Sequence, residues 1–195
     1  MSWSNTRPQG WDDPAAAPVP APLRLHRTTV EAAWVDYNGH MSEWCYLLVM
    51  GDSSDAFFRY VGIDDDYRAS GASLFTVETH IRNLREVSEG ADISLTLRVL
   101  GVDAKRVHVA HEIIGPDGGV VATGEQMLVH VASQDSGRSA VSPLPTRLLG
   151  RLQQVAHTHA ALSWPEWVGH VMRIPSRGDG AARPTGEAGG TWTSS

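Results

Sequence analysis

The stretch WVDYNGHMSEWCYLLVMGDSSDAFFRYVGI, residues 34–63, joins a polar turn to the most helical and most apolar run of the chain. Its turn, residues 36–40, brings a carboxylate, an imidazole and two residues that tolerate unusual backbone angles into five positions. After the turn, Ser42 suits a helix N-cap, Glu43 places a negative charge in the first turn, and Gly62 suits the helix end. The stretch therefore predicts a helix of about five turns that begins beside reactive side chains.

The predicted helix carries a broad apolar surface, which is typical of a helix covered on more than one side. Its members are Trp44, Leu47, Leu48, Gly51, Phe57, Phe58 and Val61. Gly51 lowers helix stability by about 1 kcal/mol relative to alanine, so we expect another backbone to approach closely there. Residues 52–55, DSSD, interrupt this surface, and we interpret them as a solvated stripe rather than as the wall of a cleft.

Alternation of apolar and polar residues predicts strands on both sides of the helix. A short strand is predicted within residues 24–35, leading to Asp36. Four more alternating segments follow the helix; they are 74–84, 93–99, 107–113 and 120–131. We expect these four strands to run as a meander, because the turn signal GPDGG at 115–119 makes a hairpin of the last two. An amphipathic helix is predicted for residues 146–162.

One helix and about five antiparallel strands can bury their apolar faces if the sheet curls round the helix. The predicted fold class is therefore α+β, with a C-terminal helix added. We expect one domain over residues 23–170, between a flexible Pro/Ala-rich arm at 1–22 and a disordered tail at 171–195. The outer face and edges of the sheet would still need cover, which edge-to-edge dimerisation would supply.

Composition narrows the classes of function. A formal charge of −6 argues against binding to nucleic acid or to an anionic membrane. The single cysteine, Cys45, cannot form an intramolecular disulfide, and no segment reaches the roughly 20 apolar residues of a bilayer span, so a cytoplasmic location is predicted. Neither Cys/His metal spacing nor a phosphate-binding glycine loop is found, and we predict no metal and no cofactor.

Three short stretches carry a resemblance to a known family. They are WVDYNGHM at 34–41, FTVETHIRNLRE at 75–86 and DAKRVHV at 103–109. In the order strand, Asp-x-x-Gly-His turn, long helix and four strands, residues 24–162 resemble the hotdog-fold acyl-CoA thioesterases of the 4-hydroxybenzoyl-CoA thioesterase type. Within that family the chain is similar to the thioesterases of carnitine breakdown, which hydrolyse betainyl-CoA. The resemblance implies a hotdog fold and the hydrolysis of a short acyl-CoA, with betainyl-CoA giving glycine betaine and CoA.

The resemblance places the catalytic carboxylate on Asp36, which could attack the thioester or act as a base for water. Alternatively, Asp36 braces the turn through backbone N–H groups. His40 could polarise the thioester or orient Asp36, or it could simply bond the turn. Glu78 is recorded as a second acid, although a paired or exposed strand glutamate is the commoner case. The backbone N–H groups of Met41, Ser42 and Glu43 are the predicted donors to the oxyanion, because free N–H groups cluster at a helix N-terminus.

Aromatic and basic side chains supply the predicted binding groups. A betainyl trimethylammonium would sit against aromatic faces, each contributing about 0.5–2 kcal/mol. The predicted cage consists of Trp34, Tyr37, Trp44 and Phe75. CoA is anionic and would need local cations, for which the candidates are Arg82, Arg85, Lys105 and Arg106. Large aromatics are usually core, and charged strand residues are often only solvated, so these roles compete with structural ones.

Two classes of function follow from the sequence. The first is an acyl-CoA thioesterase that acts on a small-molecule acyl-CoA as a homodimer or a dimer of dimers. The second is a non-catalytic acyl-CoA-binding or regulatory module on the same fold. Asp36 favours the enzyme. A hotdog dehydratase lacks support, because its usual Asp and His pair cannot be placed.

Overall fold

A computed structural model describes residues 18–134 and 138–172. The strands are β1 (Leu23–Thr29), β2 (Ala72–Asn83), β3 (Asp92–Val102), β4 (Arg106–Ile114), β5 (Val120–Ser133) and β6 (Ser139–Val141). The helices are α1 (Glu43–Val61), α2 (Asp65–Ala69) and α3 (Thr146–His159), with one 3-10 turn at Ala32–Trp34. Both α1 and α3 were predicted, whereas the short elements α2 and β6 were not. The predicted arm and tail fall mostly outside the described residues, and the domain boundaries remain predictions.

The strands form one antiparallel sheet in the order β1-β3-β4-β5-β2. The short strand β6 also pairs with β5, at residues 131–133. The predicted meander is confirmed for β3, β4 and β5, but it is wrong for β2, which pairs with β5 from Ala72 to Asn83. Alternation of apolar and polar residues predicts that a segment is a strand, but it does not predict which strand pairs with it. After β2, residues 84–91 connect this edge of the sheet to β3, which lies between β1 and β4. As a result, β2 is an edge strand.

The predicted apolar surface of α1 is confirmed as buried at Phe57 and Val61, but the buried side differs from the prediction in the first turns of the helix. The buried residues are Cys45, Tyr46, Val49, Met50, Ser53, Ser54, Phe57 and Val61. Trp44, Leu47 and Leu48 are instead exposed by 57%, 46% and 38%. The solvated stripe was also a wrong interpretation for its middle pair, since Ser53 and Ser54 face the sheet. The end of α1 is confirmed at Gly62, whose φ of 100° closes the helix in the left-handed region.

Close approach occurs at a different glycine from the predicted one. A Cβ built on Gly51 meets no atom within 4 Å, so nothing in the described part of the chain explains this helical glycine. A Cβ on Gly124 of β5 would collide with the Sδ of Met50, which fills that space. The centre of α1 therefore packs onto β5 where the strand has no side chain.

The predicted core alternation of β3 is confirmed, since Ile93, Leu95, Leu97 and Val99 are each at most 2% exposed. The predicted helix at 146–162 ends earlier, at His159, so Leu162 of its predicted apolar face lies outside α3. The other members of that face, Leu148, Leu152, Val155 and His159, are buried. His159 also takes the place of a strand partner on β3. Val99 lies beyond the end of β1, and its backbone N–H donates a 2.9 Å hydrogen bond to the His159 Nδ1 instead of to a neighbouring strand. In the described part of the chain, no helix is both long and apolar enough to cross a bilayer.

Candidate active site

The Asp36 turn is a closed loop at the entrance to α1. Strand β1 ends at Thr29, earlier than predicted, and the 3-10 turn then leads to Asp36. The Asp36 N–H donates to the His40 carbonyl at 2.9 Å, and the Gly39 N–H donates to the Asp36 carbonyl at 3.0 Å. Gly39 has a φ of 79°, a value that L side chains rarely adopt. These bonds fix the direction in which the Asp36 side chain leaves the backbone.

The carboxylate of Asp36 is half-buried and has one engaged oxygen. Its Oδ1 accepts a 2.8 Å hydrogen bond from the Asn38 N–H, which is the turn-bracing arrangement considered from the sequence. Within the described residues, no hydrogen bond to Oδ2 is found. The bracing role therefore orients the carboxylate and still leaves one oxygen for chemistry.

The loop after β2 supports the turn from the other side. The Met41 N–H donates to the Val87 carbonyl at 2.7 Å, and a bridge pairs His40 with Ser88. On the same loop, the Glu86 Oε2 lies 3.5 Å from the His40 Nδ1. No role was predicted for Glu86 from the sequence, although it is the last residue of the stretch FTVETHIRNLRE at 75–86. Only the fold shows that this residue meets the turn, which lies 46 positions earlier in the chain.

The predicted oxyanion donors are corrected by the backbone bonds. Met41 donates to Val87, and the Ser42 N–H donates to the Trp34 carbonyl at 2.8 Å, so neither group is free to bind an oxyanion in this geometry. Of the three predicted donors, only Glu43 lies within α1, whose first N–H groups have no carbonyl partner inside the helix. Ser42 does occupy the N-cap position, but its side chain makes no capping bond.

The four predicted cage aromatics are divided between core and surface. Trp34 is only 9% exposed and packs in the core, so it offers little surface to a ligand in a single chain, and its place in the cage stays a prediction. Tyr37, next to Asp36, is 97% exposed, and Trp44 lies exposed in the first turn of α1. Phe75 is exposed near the far end of β2, eight residues before Asn83, which is roughly 26 Å of extended strand.

Glu78 and the predicted CoA cations do not converge within one chain. Glu78 pairs with Met127 in mid-strand, five residues before β2 ends, so it does not join the Asp36 turn. Arg82 lies opposite Thr123 on β5, whereas Arg106 lies opposite Val129, which puts the two arginines roughly 20 Å apart along the strand.

Two of the four cations are also committed to ion pairs. Arg85 binds Asp117 through two hydrogen bonds of 2.6 and 3.0 Å. Arg106 binds Asp103, which also accepts from the Lys105 N–H. These bonds lower the pKa of Asp103 to about 2, the Lys105 backbone bond contributing most. Within the described residues, the side chains of Arg82 and Lys105 make no ion pair.

A buried polar group lies under the middle of α1. Ser54 Oγ donates to the Gln126 Oε1 at 3.1 Å and lies 3.3 Å from the His111 Nε2. Burial lowers the pKa of His111 to about 4, with the Gln126 hydrogen bond opposing this shift. Because the group is enclosed between helix and sheet, we interpret it as a structural link. The described residues contain no set of three His, Cys, Asp or Glu side chains arranged to hold a metal ion.

Comparison with known proteins identifies the class to which this fold and turn belong. Residues 30–170 match the thioesterase-like superfamily. The chain belongs to that superfamily, and the predicted hotdog fold is confirmed. A Staphylococcus aureus protein solved in complex with CoA superposes with a TM-score of 0.71 at 27% identity, covering 82% of this chain and 100% of that one.

Curated relatives are more specific. A betainyl-CoA thioesterase of Pseudomonas aeruginosa is 44% identical over 155 residues, which cover 78% of this chain and 96% of the relative. An L-carnitine dehydrogenase/betainyl-CoA thioesterase of Agrobacterium fabrum is 50% identical over 131 residues, which cover 67% of this chain. The matched part is 27% of that longer relative.

Proposed function

We propose that this chain is an acyl-CoA thioesterase that hydrolyses betainyl-CoA to glycine betaine and CoA, as a step in carnitine breakdown. The observation that carries the proposal is the 44% identity to a betainyl-CoA thioesterase over 96% of its length. The Asp36 turn at the entrance to α1 gives this identity a chemical meaning. A cytoplasmic location is part of the proposal.

In this proposal, Asp36 is the catalytic residue. The bond from the Asn38 N–H holds one carboxylate oxygen, and the other is directed to the substrate. Attack on the thioester carbonyl would give an anhydride, whereas removal of a proton from water would give hydrolysis in one addition step. Either route expels the CoA thiolate, and on the anhydride route a water molecule then hydrolyses the anhydride, which releases glycine betaine and restores the Asp36 carboxylate.

Charge that develops on the carbonyl oxygen would be held at the start of α1. The Glu43 N–H and the positive end of the helix dipole are suited to that task. The His40 carbonyl accepts the Asp36 N–H at 2.9 Å across the turn. In this proposal the imidazole of His40 orients the carboxylate or polarises the thioester carbonyl. In this view Met41 and Ser42 act by holding the turn in place.

The CoA phosphates would bind to cations that are not already paired. Arg82 and Lys105 fit that condition better than Arg85 and Arg106, whose charges are balanced by Asp117 and Asp103. Tyr37 and Trp44 are the aromatics left to receive a trimethylammonium beside Asp36. Glu78 is kept as a second acid that could reach the reaction only in an assembly.

A homodimer is proposed from the surfaces that one chain leaves open. Strand β2 has a free edge of 12 residues, with Phe75 and Val77 exposed by 51% and 60%. Beside it, α1 exposes Trp44, Leu47 and Leu48. A long apolar edge strand invites pairing, and a second copy related by a two-fold axis would cover both surfaces. A dimer of dimers is compatible with the same interface.

The proposal is tested by measuring free-thiol release from a panel of acyl-CoAs with the full chain. We expect betainyl-CoA to have the highest kcat/KM of the panel. Binding of acyl-CoA without release of thiol would favour the alternative, a non-catalytic acyl-CoA-binding module. Release from neutral acyl-CoAs but not from betainyl-CoA would keep the thioesterase and remove the proposed substrate.

A further inference from the structure

We infer that Glu86 is a specificity-determining residue that selects a cationic acyl group at the Asp36 turn. This inference rests on the proposed function, because it concerns the acyl group of the same site. In this inference a carboxylate selects the charge of the acyl group, whereas only aromatic side chains were predicted to do so from the sequence.

The position of Glu86 is fixed by the contacts of its neighbours. Val87 accepts the Met41 N–H at 2.7 Å, and the bridge between Ser88 and His40 follows directly. On the other side, the Tyr46 hydroxyl donates to the Arg85 carbonyl at 3.4 Å, which ties the loop to the first turns of α1. The backbone of Glu86 therefore cannot move away from the turn without breaking these bonds.

The side chain of Glu86 reaches the turn and remains open to a ligand. Its Oε2 lies 3.5 Å from the His40 Nδ1, and the side chain is 63% exposed. The field of this carboxylate also reaches α1. The pKa of Tyr46 is raised chiefly by burial and, after that, by the negative charge of Glu86.

The negative charge of Glu86 is not cancelled by the adjacent arginine. Arg85 is bound to Asp117 at the β4–β5 turn by two hydrogen bonds, so its charge is balanced there. His40 neutralises Glu86 only when the imidazole is protonated. With a neutral imidazole, the carboxylates of Asp36 and Glu86 together leave the turn negative.

A negatively charged site does not favour the binding of CoA esters with a neutral acyl group, but it favours those with a cationic acyl group. The CoA moiety is itself anionic, and a neutral acyl group gains nothing from a nearby carboxylate. A trimethylammonium group is attracted to it by charge, without needing a hydrogen-bond donor. Exposed Tyr37 and Trp44 can supply the aromatic faces, while Glu86 supplies the discrimination between a cation and a neutral group of the same shape.

The test compares two substrates of equal shape. Betainyl-CoA and tert-butylacetyl-CoA have the same shape and differ in a quaternary nitrogen against a quaternary carbon. The ammonium also activates the thioester, equally for both enzymes, so the change in their kcat/KM ratio between wild type and variant isolates the effect of Glu86 on the charge. For Glu86→Gln in the full chain, we expect kcat/KM for betainyl-CoA to fall by about tenfold, equivalent to about 1.4 kcal/mol. The value for tert-butylacetyl-CoA should change by less than about twofold. The loss should shrink at high salt, because exposed charges are screened.

Glu166→Gln is the matched control, because it removes one negative charge from an exposed glutamate after α3. This substitution should leave kcat/KM unchanged for both substrates. An equal fall on both substrates with Glu86→Gln would make Glu86 a positioning residue and overturn the inference, as would no change on either. If the wild-type chain hydrolyses both esters equally, charge selection is absent although thioesterase activity stands. If it hydrolyses neither, the proposed function and the inference both fail.

Discussion

The Oδ1 atom of Asp36 accepts a 2.8 Å hydrogen bond from the backbone N–H of Asn38, two residues further along the turn. This one bond reconciles the two roles considered for Asp36. The turn uses one carboxylate oxygen for its own stability, and in doing so it sets the direction of the other. The proposed chemistry therefore depends on the shape of residues 36–40 as much as on the presence of an acid.

Gly39→Ala should damage catalysis more than stability. The residue has a φ of 79°, and a Cβ there would meet no atom within 4 Å, so the substitution adds backbone strain of about 1 kcal/mol without a clash. A shift of the turn that relieves the strain would displace Asp36, and we expect kcat to fall by about tenfold or more. Thiol release and urea unfolding measure the two effects separately.

Gly118→Ala is the matched control for that substitution. Gly118 has a φ of 80°, also with no atom within 4 Å of a Cβ, but it lies in the β4–β5 hairpin turn. It should cost a similar stability and leave kcat unchanged. Equal kcat values for the two variants would mean that the shape of the Asp36 turn does not matter to the reaction.

Stability should fall in mild acid because of His111. Its folded pKa is about 4, against 6.5 for the solvent-exposed imidazole in the unfolded chain, so the unfolded chain binds a proton that the folded chain excludes. The free energy of unfolding should therefore decrease as pH falls from about 6.5 to about 4 and be insensitive to this group above that range. The full contribution is about 3 kcal/mol, at about 1.4 kcal/mol per pKa unit.

Urea unfolding across that pH range measures the effect. His111→Gln removes the titrating group, and the slope of stability against pH should flatten even if overall stability is lower. His26 and His159, whose pKa values burial also lowers, should leave a residual slope. His157→Gln on the exposed side of α3 is the control and should keep the full slope. An unchanged slope in His111→Gln would contradict the assignment.

Gly124→Ala should destabilise the fold by about 1–3 kcal/mol, since the new methyl group must displace the fully buried Met50. Met50→Ala alone opens a cavity and should cost about 2–5 kcal/mol. In the double variant, the added methyl group occupies part of the space that is vacated. A double-mutant cycle from urea unfolding should therefore give a total loss smaller than the sum of the two. Strict additivity would mean that the two residues do not share this space.

The proposed dimer should depend on the exposed side of α1. Leu47→Glu places a charge on that surface and should shift the chain to a monomer, as measured by light scattering at micromolar concentration. Val141→Glu is the control, because Val141 is 56% exposed on β6, away from α1. A monomeric wild-type chain, or a dimer that survives Leu47→Glu, would contradict the proposed interface.

Patterns that involve one element at a time were predictable from the sequence. The alternation of β3 identified its buried face, and Gly62 marked the end of α1, because both depend on local periodicity and backbone freedom. The position of β2 next to β5 was not predictable, since alternation within a segment does not specify the strand with which it pairs. The exposed side of α1 was misjudged for a related reason: an apolar residue such as Leu47 is equally consistent with the core and with a surface that a second chain would cover.

In the candidate site, too, the residues that lie close together in the sequence were predictable, and those brought together only by the fold were not. Asp36, His40 and Gly39 lie within five positions, so the sequence places them together without knowledge of the fold. Glu86 reaches His40 only through pairing between two distant loops, which no local pattern encodes. The hydrogen bonds of the Met41 and Ser42 N–H groups were also not predicted, because their acceptors, the carbonyls of Val87 and Trp34, lie outside the turn.

The central claim is that the Asp36 carboxylate drives hydrolysis of betainyl-CoA, and thiol release by Asp36→Asn tests it most directly. The asparagine keeps an oxygen that can accept the Asn38 N–H, so the turn should persist while the charge and basicity are lost. We expect kcat to fall by about a hundredfold or more, with unfolding free energy within about 1 kcal/mol of the wild type. Wild-type turnover of betainyl-CoA by Asp36→Asn would contradict the account.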